Sequence, residues 1–143
     1  MSIRIVLADD HEVVRRGLRA YLESAAGLDV VGEAADGGEA VRLAREHQPD
    51  IVIMDVVMPG VNGVEATRRI RSENPEIKII AFSIHAGRPA VKDMLKAGAS
   101  GYVLKECGCS EMTRAIQTVQ DGQTYLSPRI TGLVIEELIG PAP

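Results

Sequence analysis

Cysteine is scarce in this sequence. The two cysteines, Cys107 and Cys109, are one residue apart. A lone pair at this spacing, without a second pair of ligands, is weak evidence for a metal site. We therefore interpret both as reduced thiols in a loop, with a redox role as the sharper alternative.

Long hydrophobic runs are also missing. The apolar run Ile5 to Ala8 is interrupted at once by Asp9 and Asp10, which argues against an N-terminal secretion signal. No stretch approaches the roughly 20 apolar residues of a membrane-spanning helix. These absences predict a cytoplasmic protein without membrane contact.

Positive charge is not in excess. Lysine and arginine number 16 against 20 acidic residues, a formal net charge of -4, which argues against a surface that binds nucleic acid by itself. The length of 143 residues and a hydrophobic fraction of 45% are those of one soluble domain with one buried core.

Strand-like and helix-like segments alternate along the chain. The predicted strands are Ile3 to Ala8, Asp29 to Ala34, Asp50 to Met54, Ile77 to Phe82 and Gly101 to Leu104. The predicted helices are Glu12 to Ser24, Glu39 to His47, Gly63 to Ser72 and Pro89 to Ala97. A fifth helix is predicted to start at Ser110, as its N-cap, and to end before Gly122. This alternation predicts an α/β fold with a five-stranded parallel sheet, right-handed crossovers and helices on both faces.

Residues 123 to 143 are predicted to be a tail. The segment Pro128 to Leu138 carries an apolar stripe at helical spacing. Packing on the domain, packing on a partner and fraying are all compatible with that stripe. The Pro-Ala-Pro end resembles a linker.

Five polar residues follow the predicted strands: Asp9, Asp10, Asp55, Ser83 and Lys105. In a parallel sheet the carboxyl ends of the strands form one ligand-binding edge, so these side chains are expected to converge. Three crowded carboxylates repel one another, and a hard cation such as Mg²⁺ relieves that repulsion. A carboxylate can also accept a phosphoryl group, while a lysine and a hydroxyl contact that group.

Each residue also has a plain structural interpretation. Asp10 alone could cap the first helix, Ser83 could be a loop hydroxyl and Lys105 a surface charge. For His11, at the start of the first helix, we favour a structural or supporting role over a catalytic one. The whole set at one edge of the sheet is what favours a chemical site.

Four motifs contain these residues: LADDH (Leu7 to His11), VIMDVVMPGVNG (Val52 to Gly63), AFS (Ala81 to Ser83) and GYVLK (Gly101 to Lys105). Together they resemble the receiver domain of response regulators, in the NarL/FixJ (LuxR-type) subgroup. The resemblance covers about residues 2 to 122. One departure is Glu106, which stands where many receivers have proline after the lysine.

The resemblance implies a role for each site residue. Asp55 is the phosphoacceptor, and Mg²⁺ is bound by Asp10, Asp55 and the Val57 carbonyl, with Asp9 acting mainly through a water. Ser83 and Lys105 contact the phosphoryl group. Tyr102 matches the aromatic residue that moves inward when Ser83 is drawn to the phosphate.

The resemblance also implies the context. The expected sheet order is the flavodoxin-like 2-1-3-4-5, with a receiver at residues 1 to 122 and a linker helix or tail at residues 123 to 143. The phosphoryl donor would be a sensor histidine kinase, and a homodimer is the expected active form. DNA would be bound only by a C-terminal helix-turn-helix domain that this sequence does not include, and transcription would be regulated through it.

Two other functions compete with a phosphorylation switch. A Mg²⁺-dependent phosphatase with a nucleophilic aspartate would need an acid two residues after Asp55, where this chain has Val57. We therefore do not expect an enzyme in the ordinary sense. A receiver-like interaction module that works without phosphorylation is the other alternative, although such modules usually lose an acid or the lysine.

Overall fold

The computed structural model describes residues 2–140, except the side chain of residue 107. The predicted Pro-Ala-Pro linker end lies outside the described residues, as does the Cys107 thiol. The strands are β1 (Ile3–Ala8), β2 (Leu28–Ala34), β3 (Ile51–Met54), β4 (Lys78–Ser83), β5 (Gly101–Leu104) and β6 (Tyr125–Leu126). The helices are α1 (Glu12–Glu23), α2 (Gly37–His47), α3 (Gly63–Glu73), α4 (Arg88–Ala97), α5 (Cys109–Gln120) and α6 (Pro128–Ile139), with a short 3₁₀ helix at Lys105–Cys107.

One parallel sheet with the order β2-β1-β3-β4-β5-β6 forms the centre of the fold. The α/β class and the flavodoxin-like order of the first five strands are confirmed. The helices α1 and α5 cover one face, where Leu18 and Ile116 enter the core. On the other face α2, α3 and α4 contribute side chains such as Val41, Ile70 and Met94. Because β3 is covered on both sides, all four of its residues are buried.

The prediction of five strands is wrong by one. After α5 the chain turns at Gly122, whose φ is +86°, and Tyr125 and Leu126 add a sixth parallel strand beside β5. The Tyr125 N–H donates to the Ser100 carbonyl, and the Ser127 N–H donates to the Tyr102 carbonyl. A strand of two residues has no measurable periodicity, so the sequence pattern could not reveal it.

The apolar stripe of the tail packs on the domain. Helix α6 lies beside α4, with Ile130 completely buried and Leu133 and Val134 partly buried against the core. Ion pairs join Arg88 to Glu136 at 2.6 Å and Lys92 to Glu137 at 3.0 Å. These pairs are exposed and contribute little on their own, so the apolar contacts hold the helix in place.

The N-cap residues of two helices differ from those that the sequence suggested. The predicted cap Ser110 is the second residue of α5, because Gly108 precedes the helix and no side chain caps it. Asp10 does not cap α1 either, since His11 occupies the cap position. Asp36 and Asn62 cap α2 and α3 by accepting backbone N–H groups.

None of the helices within residues 2–140 has the length and apolar character that crossing a bilayer requires.

A close backbone approach fixes the loop after β3. The Gly63 N–H donates to the Val56 carbonyl at 2.8 Å. A Cβ atom on Gly63 would lie 1.9 Å from the carbonyl oxygen of Asp55. Only glycine therefore allows α3 to begin this close to the end of β3, and Asp55 is positioned by that approach.

We expect Gly63→Ala to lower the free energy of unfolding by about 2 to 4 kcal/mol, because the methyl group forces the backbone of Asp55 to move. The matched control is Gly17→Ala, in the middle of α1, where a Cβ meets no atom within 4 Å. That change should stabilise the protein by about 0.5 to 1 kcal/mol. Urea denaturation measures both, and equal effects would contradict the packing argument.

Candidate functional site

The strand register brings the predicted acids together. Strands β1 and β3 are neighbours, and Ala8 lies beside Met54 in the ladder. The Asp55 N–H donates to the Ala8 carbonyl at 2.9 Å, and the Asp9 N–H donates to the Ala34 carbonyl at 3.0 Å. The two aspartates therefore leave adjacent strands at the same level, at the carboxyl edge of the sheet where ligands bind in such folds.

The carboxylates of Asp9, Asp10 and Asp55 form one cluster, together with the imidazole of His11. One ligand atom from each residue lies within 4.8 Å of the others. Asp9 and Asp55 are buried, at 6% and 4% exposure, while Asp10 lies at the exposed rim. Oxygen donors at this spacing fit a hard divalent cation, which would relieve the repulsion among three negative charges.

Lys105 provides the positive charge inside the cluster. Its Nζ lies 2.7 Å from Asp9 Oδ2 and 3.2 Å from Asp55 Oδ2. The side chain is only 10% exposed, and the ammonium lies 5.9 Å from the centre of the Phe82 ring. The lysine follows β5 directly, so the strand places it opposite the acids that follow β1 and β3. One ammonium offsets only part of the charge of three carboxylates.

The environment of Asp55 disfavours its charged form. Burial raises the pKa of this carboxyl above the usual range, and the negative charge of Asp9 raises it further. The Lys105 ammonium and the Val56 N–H, which donates to Oδ1 at 2.8 Å, lower the pKa and only partly offset the burial. A cation or phosphoryl group that enters this site would therefore stabilise the Asp55 carboxylate.

Ser83 and Tyr102 are linked through the backbone of His85. Ser83 Oγ accepts the His85 N–H at 3.0 Å, and the Tyr102 hydroxyl donates to the His85 carbonyl at 2.5 Å. Both side chains are completely buried. Burial raises the pKa of the Tyr102 phenol, a hydrogen bond with Ser83 lowers it, and the charge of Asp55 raises it. The two residues are therefore adjacent to each other and electrostatically near the acids.

Not every predicted residue has a described contact at the cluster. Ser83 lies at the end of β4, one strand from Asp55, and hydrogen-bonds with the His85 backbone and with Tyr102. Val57 lies in the loop after β3 with 57% of its surface exposed. The predicted roles of these residues, and of the acids and Lys105, remain predictions that geometry alone does not test.

Two further residues contact the loop after β1. His11, for which a structural or supporting role was predicted, places Nδ1 at 3.2 Å from Asp9 Oδ1 and 3.3 Å from Asp10 Oδ1. Arg15 donates to the Asp9 carbonyl at 2.5 Å and pairs with Glu33 at 2.9 Å. The sequence position of Arg15 could have indicated this contact, because Arg15 lies one helical turn after His11 and faces back to the loop.

We expect Asp55→Asn to raise the free energy of unfolding near pH 7, on the order of 1 kcal/mol, because it removes a buried charge while Lys105 keeps Asp9 as its partner. A raised pKa means that the folded state binds the proton more tightly, so the aspartate costs stability as the pH rises through its range. The gain should therefore vanish below about pH 3, where the carboxyl is largely protonated in both states.

Urea denaturation at both pH values measures this difference. Asp29→Asn, which changes an exposed aspartate on β2, is the matched control and should show neither effect. A lower stability of the Asp55→Asn variant near neutral pH would contradict the assignment of Asp55 as a strained buried charge.

The comparisons with known proteins agree with this geometry. The family model for the response regulator receiver domain matches residues 5–117. GacA from Pseudomonas viridiflava, a response regulator, is 45% identical over 90% of this chain. The transcriptional regulatory protein LiaR from Bacillus subtilis is 42% identical over 95% of it. The chain spans 60% of the length of GacA and 64% of that of LiaR.

Solved structures are similar in the same way. A LuxR-family two-component response regulator from Aurantimonas sp. SI85-9A1 has a TM-score of 0.91 and 44% identity, with 97% of this chain and 99% of that one covered. The receiver domain of the putative regulator NarL from Mycobacterium tuberculosis has a TM-score of 0.82 and 32% identity, covering 85% and 98%. The chain therefore belongs to the response regulator receiver family, the signalling domains of two-component systems, and is of the LuxR and NarL type.

Proposed function

We propose that Asp55 is the phosphoryl acceptor of this receiver domain, with Mg²⁺ as cofactor. The observation that carries the proposal is a carboxylate of 4% exposure held between the acid Asp9 and the ammonium of Lys105 at 3.2 Å. That environment destabilises the free carboxylate and offers a positive charge to an added phosphoryl group. Purely structural aspartates are seldom buried beside a second acid.

In the proposed step, a carboxylate oxygen of Asp55 attacks phosphorus, and the bond from phosphorus to the imidazole nitrogen of a kinase phosphohistidine breaks. The imidazole leaves with the electron pair of that bond and takes up a proton from solvent. Lys105 stabilises the phosphoryl oxygens by charge, and the Ser83 hydroxyl donates to one of them. Such transfers depend on positioning and electrostatics, so no general base is required.

Asp10, Asp55 and the carbonyl oxygen of Val57 would bind the cation, with Asp9 acting mainly through a water. When bound, Mg²⁺ supplies positive charge that lowers the repulsion between the carboxylate and the incoming phosphoryl oxygens. Asp9 and Lys105 then have a second task, because their 2.7 Å contact keeps the ammonium at the site before the phosphoryl group arrives. The acids and the lysine therefore act as one unit.

We further propose that phosphorylation is read out through His85 and Tyr102. A Ser83 hydroxyl drawn to the phosphoryl group would pull on the His85 N–H that it accepts, and the His85 carbonyl holds the Tyr102 hydroxyl. Tyr102 lies on β5, which pairs with β6, and β6 leads into α6. The surface formed by α4, β5 and α5 would change with the state of Asp55.

The proposed partners follow from the family. A sensor histidine kinase is the donor, and a homodimer through α1 and α5, or through the α4–α5 face, is the active form. Because the curated relatives are longer, we propose that residues 1 to 122 are the receiver and residues 123 to 143 the linker in a longer regulator. Transcription would then be controlled by a helix-turn-helix domain outside this chain.

We expect acetyl phosphate with Mg²⁺ to add about 80 Da to the protein, the mass of one phosphoryl group, on Asp55. Intact-mass and peptide mass spectrometry locate the adduct. Asp55→Asn should abolish it and Asp29→Asn should leave it unchanged, while chelation of Mg²⁺ should reduce it at least about tenfold. An unmodified Asp55 would favour an interaction module that works without phosphorylation, and multiple turnover on phosphate esters would favour a phosphatase.

We expect phosphorylation to increase self-association, because the proposed change at Tyr102 alters the surface formed by α4, β5 and α5, through which a second copy could bind. Sedimentation velocity with and without acetyl phosphate and Mg²⁺ measures the mass, and a shift of at least about tenfold in the dimer dissociation constant corresponds to a coupling of about 1.4 kcal/mol. The Asp55→Asn variant is the control. An unchanged sedimentation coefficient at all concentrations would contradict the homodimer proposal.

A further inference from the structure

Ser127 stands where the chain passes from β6 into α6. Its backbone N–H donates to the Tyr102 carbonyl at 2.9 Å and so continues the ladder between β5 and β6. Its carbonyl turns the other way and accepts the Ile130 and Thr131 N–H groups at the start of α6. The same residue therefore belongs to the sheet through its N–H and to the helix through its carbonyl.

The hydroxyl of Ser127 takes the place of the carbonyl that the ladder loses at this turn. The Leu104 N–H, at the end of β5, donates to Ser127 Oγ at 3.1 Å. Both residues are only 1% exposed, so water has little access to this N–H. Because a buried N–H without a partner is costly, the hydroxyl holds the last residue of β5 in place.

Glu111 orients this hydroxyl from the other side. It lies in the first turn of α5, and its Oε1 accepts the Ser127 hydroxyl at 2.7 Å and the Tyr125 hydroxyl at 3.0 Å. With its proton directed at the carboxylate, Ser127 Oγ presents a lone pair to the Leu104 N–H. Ser127 is therefore bonded both to the end of β5 and to the start of α5.

The loop between β5 and α5 begins with Lys105 and forms one turn of 3₁₀ helix. The Lys105 Nζ reaches Asp9 at 2.7 Å and Asp55 at 3.2 Å. The Leu104 N–H belongs to the residue directly before this lysine, so its bond to Ser127 fixes the backbone from which the lysine extends. A long side chain turns a small backbone rotation into a larger displacement of the ammonium.

We propose that Ser127, held by Glu111, is a positioning residue that keeps the Lys105 ammonium in place for the phosphorylation of Asp55. It acts on the lysine through the Leu104 N–H. The effect on phosphorylation rests on the proposed function of Asp55, while the effect on the position of the lysine does not. The family model ends at residue 117, so the segment that leads into α6 would complete a site built by the receiver.

The first test measures the rate at which acetyl phosphate with Mg²⁺ modifies Asp55. Ser127→Ala should slow it at least about tenfold, since a misplacement of about 1 Å can cost about a hundredfold. Tyr125→Phe is the matched control, because it removes the other hydroxyl on Glu111 and leaves the Leu104 N–H paired. A second control is Thr67→Val, which removes a buried hydroxyl on α3. Neither control should change the rate, and urea denaturation verifies that each variant is folded.

The second test locates the ammonium without any phosphorylation. Burial raises the pKa of the Asp55 carboxyl, and the Lys105 ammonium lowers it from a distance of 3.2 Å. If Ser127→Ala displaces the ammonium, the pKa of Asp55 should rise further, in the direction of the value in Lys105→Met. Tyr125→Phe and Thr67→Val should leave this pKa unchanged. The ¹³C resonance of the Asp55 carboxyl carbon over a pH series measures it in the chain free of Mg²⁺.

The two measurements together decide the role of Ser127. An unchanged pKa of Asp55 in Ser127→Ala would overturn the positioning role, even with a slower rate, and so would equal effects of Tyr125→Phe. If Ser127→Ala does not fold, Glu111→Ala, at a partly buried position, removes the acceptor that orients the hydroxyl and should change both readouts in the same direction. If the unsubstituted chain takes up no phosphoryl group, the proposed function fails, and the titration of Asp55 still decides whether Ser127 positions the lysine.

Discussion

The repulsion between Asp9 and Asp55, two buried carboxylates on adjacent strands, is the constraint on which the site depends. Lys105 offsets part of that repulsion through contacts of 2.7 and 3.2 Å. The imbalance shows as the raised pKa of Asp55, which burial causes in the first place and the charge of Asp9 increases further. A site with this imbalance gains free energy from any cation or polarised group that enters it, and the rest of the fold holds the acids where they cannot separate.

Several features of the backbone keep this arrangement rigid. The register of β1 and β3 sets the separation of the two acids, and Gly63 allows α3 to start against the carbonyl of Asp55. From the opposite side Arg15, held by Glu33, donates to the Asp9 carbonyl. These contacts come from three different elements. Displacement of either acid would therefore break packing or hydrogen bonds elsewhere, which is how a small domain maintains an unfavourable charge cluster.

The C-terminal segment is joined to the same framework. Ser127 is almost completely buried, and its Oγ accepts the Leu104 N–H and donates to Glu111. Leu104 is the residue before Lys105, so the start of α6 is hydrogen-bonded to the end of β5, directly before the lysine. Helix α6 then lies beside α4, with Ile130 buried in the core. A change in β5 therefore has a continuous path of hydrogen bonds and packed side chains to the last helix.

The sequence by itself determined the elements and the set of residues at the sheet edge, because helix and strand periods and the positions of Asp9, Asp55 and Lys105 are local features. The ligand-edge rule of parallel sheets then predicted their convergence. The tertiary structure alone decided the sixth strand, the packing of α6 and the position of the His11 ring. The sixth strand and the packing of α6 depend on contacts between residues far apart in the chain. The position of the His11 ring depends on a side-chain rotamer that neighbouring charges select. A short window of sequence contains neither kind of information.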